Sequence, residues 1–276
     1  MGEGDLISTR SEASTAIVTL GSANRIYIDS EMSAALCAAM TRLAADDAIR
    51  VIVLTGGAPG YFIRHYCVAE IARFGEKVRS SGRAWREEQR FTPSAFDRCI
   101  ALCETIGKPT IAAISGSCMG GGFELALACD VRIAEQGDYQ IGLPEVNIGI
   151  LPGAGGTQRL PRTIGAPAAL MHILMGIPVS PLEAERRGFV HETVSGKAID
   201  RAMEIAKRLG QHSPRSVAYI KRLVNGAMSR PLEEGLRLER NLFMMLASSD
   251  PALQRMKALI EGRMAITSSN ELADAS

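Results

Sequence analysis

Short β-branched runs alternate with helix-patterned segments through the first half of this chain, and that alternation sets the fold class. Thr15–Leu20 (Thr-Ala-Ile-Val-Thr-Leu) and residues 51–55 (Val-Ile-Val-Leu-Thr) are short, apolar and closed by glycines, the pattern of strands. Between them Met32, Leu36, Met40 and Leu43 recur at helical spacing across 30–47, with Ser30 as the expected N-cap. Thr92-Pro93 predicts the start of a second helix, with proline in its first position, running to about Thr105 with Phe96, Ile100 and Cys103 on one face. Thr110–Ile114 and residues 131–134 predict a third and a fourth strand. Strand–helix–strand order over about 120 residues predicts a mainly parallel α/β architecture.

After Thr163 the signals are almost all helical: Ser180-Pro181-Leu182-Glu183, Ser213-Pro214, Arg230-Pro231 and Asp250-Pro251. The helix after Pro231 sets Leu232, Leu236, Leu238, Leu242 and Met245 near one stripe, and residues 267–276 are small, polar and expected to fray. There is no internal repeat and no low-complexity linker. Against 31 Lys and Arg stand 30 Asp and Glu, a formal charge of +1, which supplies no global field for nucleic acid or an anionic membrane. With 46% hydrophobic and 22% charged residues, a sizeable core is expected. No apolar run approaches the ~20 residues of a membrane span. The opening Met1-Gly2-Glu3-Gly4-Asp5 has neither the basic nor the apolar block of a secretory signal, so a cytoplasmic protein is expected. Cys37, Cys67, Cys99, Cys103, Cys118 and Cys129 form no metal-binding spacing and are expected as reduced, small apolar residues.

Two windows carry a single carboxylate in otherwise uncharged sequence. Glu124 sits in Gly120-Gly121-Gly122-Phe123-Glu124-Leu125-Ala126-Leu127-Ala128, a helix pattern with no polar face and therefore buried all round. Glu145 stands alone between Ile141 and Thr157. Burial raises a carboxyl's pKa, and two such acids can divide one reaction as base and acid. A solvent-facing glutamate near a helix start is the ordinary alternative for each. Gly120-Gly121-Gly122 allows close approach to backbone amides at a helix N-terminus, the design of an oxyanion hole; a tight strand-to-helix crossing explains it equally. Gly153-Ala154-Gly155-Gly156-Thr157 lacks the dinucleotide spacing and reads as a turn before a short helix. His172, in Leu170-Met171-His172-Ile173-Leu174, reads as a core residue, and no Gly-x-Ser-x-Gly elbow supports a hydrolase. Arg64-His65-Tyr66 follows the strand at 51–55, where parallel sheets meet their ligands.

From about Ala16 to Arg263 the chain resembles the enoyl-CoA hydratase/isomerase (crotonase) family, most strongly at residues 51–57, 120–126, 143–145 and 152–162. The resemblance implies a crotonase-like spiral of ββα turns over residues 1–200, with the CoA-thioester site, and a helical trimerisation region at 201–276. Homotrimers, commonly stacked in pairs, would follow. It implies Gly121 and Tyr66 as backbone donors to the thioester oxygen, Glu124 activating water for attack at C3, and Glu145 delivering a proton to C2. Arg64, His65, Tyr66 and Gly121 would contact the substrate. CoA belongs to that substrate, and no metal or redox cofactor is implied.

The chain also departs from the family. Where the family reads Phe-x-Ala-Gly-x-Asp, this chain has Phe62-Ile63-Arg64-His65-Tyr66-Cys67. A backbone N–H survives such a change, but His65 or Tyr66 is expected to favour polar or aromatic acyl chains. Gly262 replaces a CoA-phosphate lysine, with Arg263 as its substitute. Both acids together favour an enoyl-CoA hydratase. The alternatives are a Δ3,Δ2-enoyl-CoA isomerase, which needs one acid, a non-catalytic acyl-CoA-binding relative and, last, a nicotinamide enzyme.

Overall fold

The computed structural model describes residues 6–82 and 84–266. The chain opens with an antiparallel hairpin, β1 (Ile7–Glu12) and β2 (Thr15–Leu20), followed by α1 (Ser30–Ala45). Three turns then repeat one plan: a strand in a large sheet, a strand in a small sheet, then helix. The first holds β3 (Val51–Gly56), β4 (Gly60–Ile63), α2 (Val68–Ser80) and α3 (Ala95–Thr105). The second holds β5 (Thr110–Ile114), β6 (Gly116–Met119) and α4 (Gly121–Ala128). The third holds β7 (Val131–Glu135), β8 (Ile141–Gly142), α5 (Gly156–Ile164) and α6 (Ala166–Met175). Next come α7 (Pro181–Arg186), β9 (Glu192–Val194), α8 (Ala198–Gly210) and α9 (Pro214–Gly226). The large sheet runs β1-β2-β3-β5-β7-β9 and is parallel from β2 onward; the small one runs β4-β6-β8, also parallel. This is the expected α/β spiral of ββα turns.

The inner strands β2, β3 and β5 read as largely apolar runs because both faces of the large sheet are covered there, whereas β1 at its edge is polar and exposed. Successive side chains alternate between two cores. Ala16, Val18, Leu20, Ile52, Leu54, Ala112, Ile114 and Ala134 join Met32, Leu36 and Met40 in the larger one. Ile17, Val51, Val53, Ile111, Ala113 and Ile133 face the other way, onto Ala198, Ala202 and Ala206 of α8, a small-residue stripe at i, i+4 and i+8. A boundary at residue 200 would cut α8, and the chain instead divides between Lys221 and Arg222. Lys221 secures the end of the first unit: its buried Nζ donates to Asp130 Oδ2 (2.7 Å) and to the carbonyls of Cys103 (2.6 Å) and Lys108 (3.0 Å).

Capping differs from the sequence reading in a consistent way. Asp29, not Ser30, caps α1, its Oδ1 accepting from the Met32 amide at 2.8 Å. The α3 cap is Ser94, in a capping box with Asp97, so Thr92-Pro93 lies just outside the helix. β9, within the helical third, has no sequence signal because three residues carry no period. Cys99, Cys103, Cys118 and Cys129 are buried free thiols, and Cys37 and Cys67 are half-buried.

The second unit begins at Arg222 and holds the end of α9, a 3-10 turn (Ala227–Ser229), α10 (Leu232–Ala247) and α11 (Asp250–Ile260). Of the expected α10 stripe, Leu242 is buried, whereas Leu232, Leu236 and Met245 are exposed. Among the described residues no helix is long and apolar enough to cross a membrane.

Candidate active site

Helix α4 is apolar on every side, and all eight of its residues are buried. Glu124 is among them, 3% exposed. Its Oε1 accepts the amides of Ala154 and Gly156, each at 2.8 Å, and no described residue bonds Oε2. The donors come from the glycine loop and from the first residue of α5 that it leads into, with Gly155 between them at φ +101°. A Cβ on Gly156 would stand 2.9 Å from side-chain carbons of Leu143 and Pro152 and 3.1 Å from Glu124 Oε1, so glycine alone lets the loop close on the acid. Desolvation pushes the Glu124 pKa up, opposed by the two amides and by Arg159; the net shift is upward.

Glu145 opens a 3-10 turn (Glu145–Ile148) directly after Pro144. Asn147 Nδ2 pins that turn to the Gly176 carbonyl at 2.7 Å. Glu145 Oε2 is a buried oxygen with no hydrogen-bond partner among the described residues. Desolvation, with a contribution from the Glu124 charge, raises the Glu145 pKa to about 7 against a favourable bond from its own backbone. Its Oε1 lies against Gly120, where a Cβ would come within 3.1 Å of it. Behind this turn the buried His172 receives the Leu143 amide on Nε2 (3.4 Å); burial lowers its pKa to about 4, so it accepts as a neutral imidazole.

Two main-chain amides, of Tyr66 and Gly121, lie close together beside Gly120. Ile28 pairs with the loop after β4: its amide donates to the His65 carbonyl (3.1 Å), and its carbonyl accepts from the Cys67 amide (2.8 Å). A parallel pairing of that kind uses the peptide groups on either side of Tyr66 and turns the Tyr66 N–H away. Gly121 is the first residue of α4, where an N–H has no acceptor within the helix. The two are close neighbours, since a Cβ on Gly121 would lie 3.2 Å from Tyr66 N.

The side chains of the departing loop are tied down. Tyr66 Oη donates to Glu70 Oε2 (3.0 Å), and its ring packs against Phe96 with centroids 5.4 Å apart. Burial and that carboxylate raise the phenol's pKa. Burial favours a protonated Glu70, but donors from Ser30 and Tyr66, with Arg73 nearby, hold its carboxyl below the ordinary value. His65 Nδ1 meets the Tyr66 carbonyl at 2.7 Å, and its ring lies 4.5 Å from Tyr27. Arg64 also turns to Tyr27, donating to its hydroxyl at 3.2 Å. In the second unit Arg263 pairs with Glu261. The structure thus brings Gly121, Tyr66, His65 and Glu145 around Gly120 and links Glu124 to the glycine loop. That role of the loop has no signal in the sequence, since nothing in a turn pattern announces a partner some thirty residues away.

The sequence profile of the enoyl-CoA hydratase/isomerase family matches residues 11–266. The 2,3-dehydroadipyl-CoA hydratase of Escherichia coli is 33% identical over 221 residues, spanning 80% of this chain and 81% of that protein. This chain belongs to the enoyl-CoA hydratase/isomerase family. Solved structures agree: an enoyl-CoA hydratase subunit of Geobacillus kaustophilus superposes with a TM-score of 0.82 at 32% identity, over 95% of this chain and 98% of that one. An enoyl-CoA hydratase of Bacillus anthracis reaches 0.82 at 29% identity, over 93% and 96%. Membership in the enoyl-CoA hydratase/isomerase family makes this an enzyme of acyl-CoA metabolism, with acyl-CoA thioesters as its substrate class.

Proposed function

We propose that the protein is an enoyl-CoA hydratase, adding water across the 2,3-double bond of an acyl-CoA thioester. The observation that carries this reading is the unequal setting of two acids, Glu124 buried and Glu145 half-buried. Glu124 takes two amide donors on one oxygen, which favours its carboxylate, while Glu145 keeps an unpartnered oxygen and holds its proton to about pH 7. In this reading Glu124 removes a proton from water as the water oxygen bonds to C3. The C2–C3 electron pair moves onto the thioester oxygen, where the amides of Tyr66 and Gly121 receive the charge. Collapse of that enolate takes the Glu145 proton at C2, and proton exchange with solvent resets both acids. Two amides in a dry site supply about 3 kcal/mol or more apiece to such a developing charge. The addition leaves the substrate's overall oxidation level unchanged, so the reading takes no redox cofactor, and the amides do the polarising. His65 and Tyr66, tied to Tyr27 and Glu70 beside the donors, are assigned to acyl contact, and a polar or aromatic acyl chain is the preferred substrate.

Hydration and isomerisation assays over a small enoyl-CoA panel test the reading. Glu124→Ala is expected to abolish hydration. A wild type that isomerises Δ3-enoyl-CoA without hydrating, with isomerisation persisting in that variant through Glu145 alone, would replace the hydratase reading with an isomerase. Tight CoA-thioester binding without turnover would replace it with a binding protein. Equal use of crotonyl-CoA and aryl enoyl-CoA would remove the acyl assignment alone.

A further inference from the structure

The glycine loop that holds Glu124 is itself held, by a residue to which the proposed chemistry gives no role. Arg159, in the first turn of α5, sends its guanidinium back over the loop: Nη1 donates to the Ala154 carbonyl at 2.9 Å, and the Ala154 amide in turn donates to Glu124. The other edge of the guanidinium is gripped by α3, with Nε on Glu104 Oε1 and Nη2 on Glu104 Oε2, both at 2.7 Å. The fit over the loop is close, because a Cβ on Gly155 would lie 1.9 Å from Arg159 Nη1. The Arg159 side chain is only 20% exposed, and a two-point fork of this kind fixes direction as well as distance.

We infer that Arg159 is a positioning residue for hydration: clamped by Glu104, it fixes the loop whose amides aim the Glu124 carboxylate. The catalytic part of this inference rests on the hydratase reading. Arg159 also acts through its charge. Of the charged groups facing Glu124, Arg159 on α5 favours the carboxylate, whereas Asp97 on α3 disfavours it; Glu145, which keeps its proton to about pH 7, is neutral while Glu124 titrates. Losing the guanidinium therefore both frees the loop and leaves the base more easily protonated.

The experiment combines pH profiles of kcat and KM for hydration with NMR titration of 13C-glutamate-labelled protein, which needs no substrate. For Arg159→Gln, kcat is expected to fall at least about tenfold with KM within about twofold. The acid limb and the Glu124 titration should both move up by about half a pH unit or more. Arg159→Lys keeps the charge without the fork, so it should lower kcat while leaving the acid limb in place. Glu104→Gln, which loosens the clamp, should lower kcat less than Arg159→Gln. An Arg159→Gln protein whose Glu124 titration and acid limb coincide with wild type overturns the inference. Should that variant fail to fold, unchanged kcat in both Arg159→Lys and Glu104→Gln overturns it instead. If the wild-type protein hydrates no enoyl-CoA, the hydratase reading fails by itself, and the NMR titration still decides whether Arg159 governs Glu124.

Discussion

Glu145 is where burial and chemistry meet most directly. Desolvation raises its pKa to about 7, above an ordinary glutamate's, so the folded protein binds more protons than the unfolded chain between about pH 4.5 and 7. Stability therefore declines as pH rises through that window and stays lower above it. Glu145→Gln removes the titration. It should match wild-type thermal stability below about pH 4.5 and exceed it above pH 7, as read by Tm across a pH series; an unchanged Tm difference would place the Glu145 proton elsewhere. The same variant should lose about 10²- to 10⁴-fold in hydration rate. In the wild type, the alkaline limb of kcat should fall near pH 7, as the acid gives up its proton. Glu124 resists this behaviour in part because two amides reach it, a difference between the acids that no sequence window displays.

At the scale of elements, α4 is set by contact rather than by propensity. A Cβ on Gly122 would stand 2.2 Å from the Ile63 carbonyl oxygen, so α4 packs against β4 backbone to backbone. Gly122→Ala is expected to destabilise the fold by about 2 kcal/mol or more, measured by denaturant unfolding, because backbone cannot yield as a flexible side chain can. Helix ends tell the same story about legibility. Ser30, a good cap by type, donates its amide and hydroxyl to Glu70, while Asp29 takes the cap position. Both residues suit the role, and which one fills it depends on a carboxylate forty residues away. Ser94, not Thr92, caps α3 for a related reason: Asp97 completes its box through a side chain whose direction only the folded turn defines.

Across the whole molecule, large apolar side chains remain exposed in both units. On α6 these are Leu170, Met171, Leu174 and Met175, and in the second unit Leu232, Phe243, Met244 and Ile260. Exposed apolar surface on this scale marks association, and a homotrimer, or two stacked trimers, is our proposal. Sedimentation should give three or six copies, and Phe243→Glu should shift it toward monomer; a wild-type monomer at micromolar concentration would remove the proposal. The alternating strand and helix patterns, the helical last third, the uncharged windows around Glu124 and Glu145 and the triple glycine were legible in the chain. Each is a local arrangement of side-chain types, and local periodicity and composition survive without the fold. What the tertiary structure alone decided is which groups face one another: the glycine loop closing on Glu124, Arg159 bridging that loop to α3, the Tyr66 amide turned from Ile28, and one Glu145 oxygen buried without a hydrogen-bond partner among the described residues. Those pairings join residues far apart in sequence, and desolvation, which raises both acids, exists only once packing has excluded water.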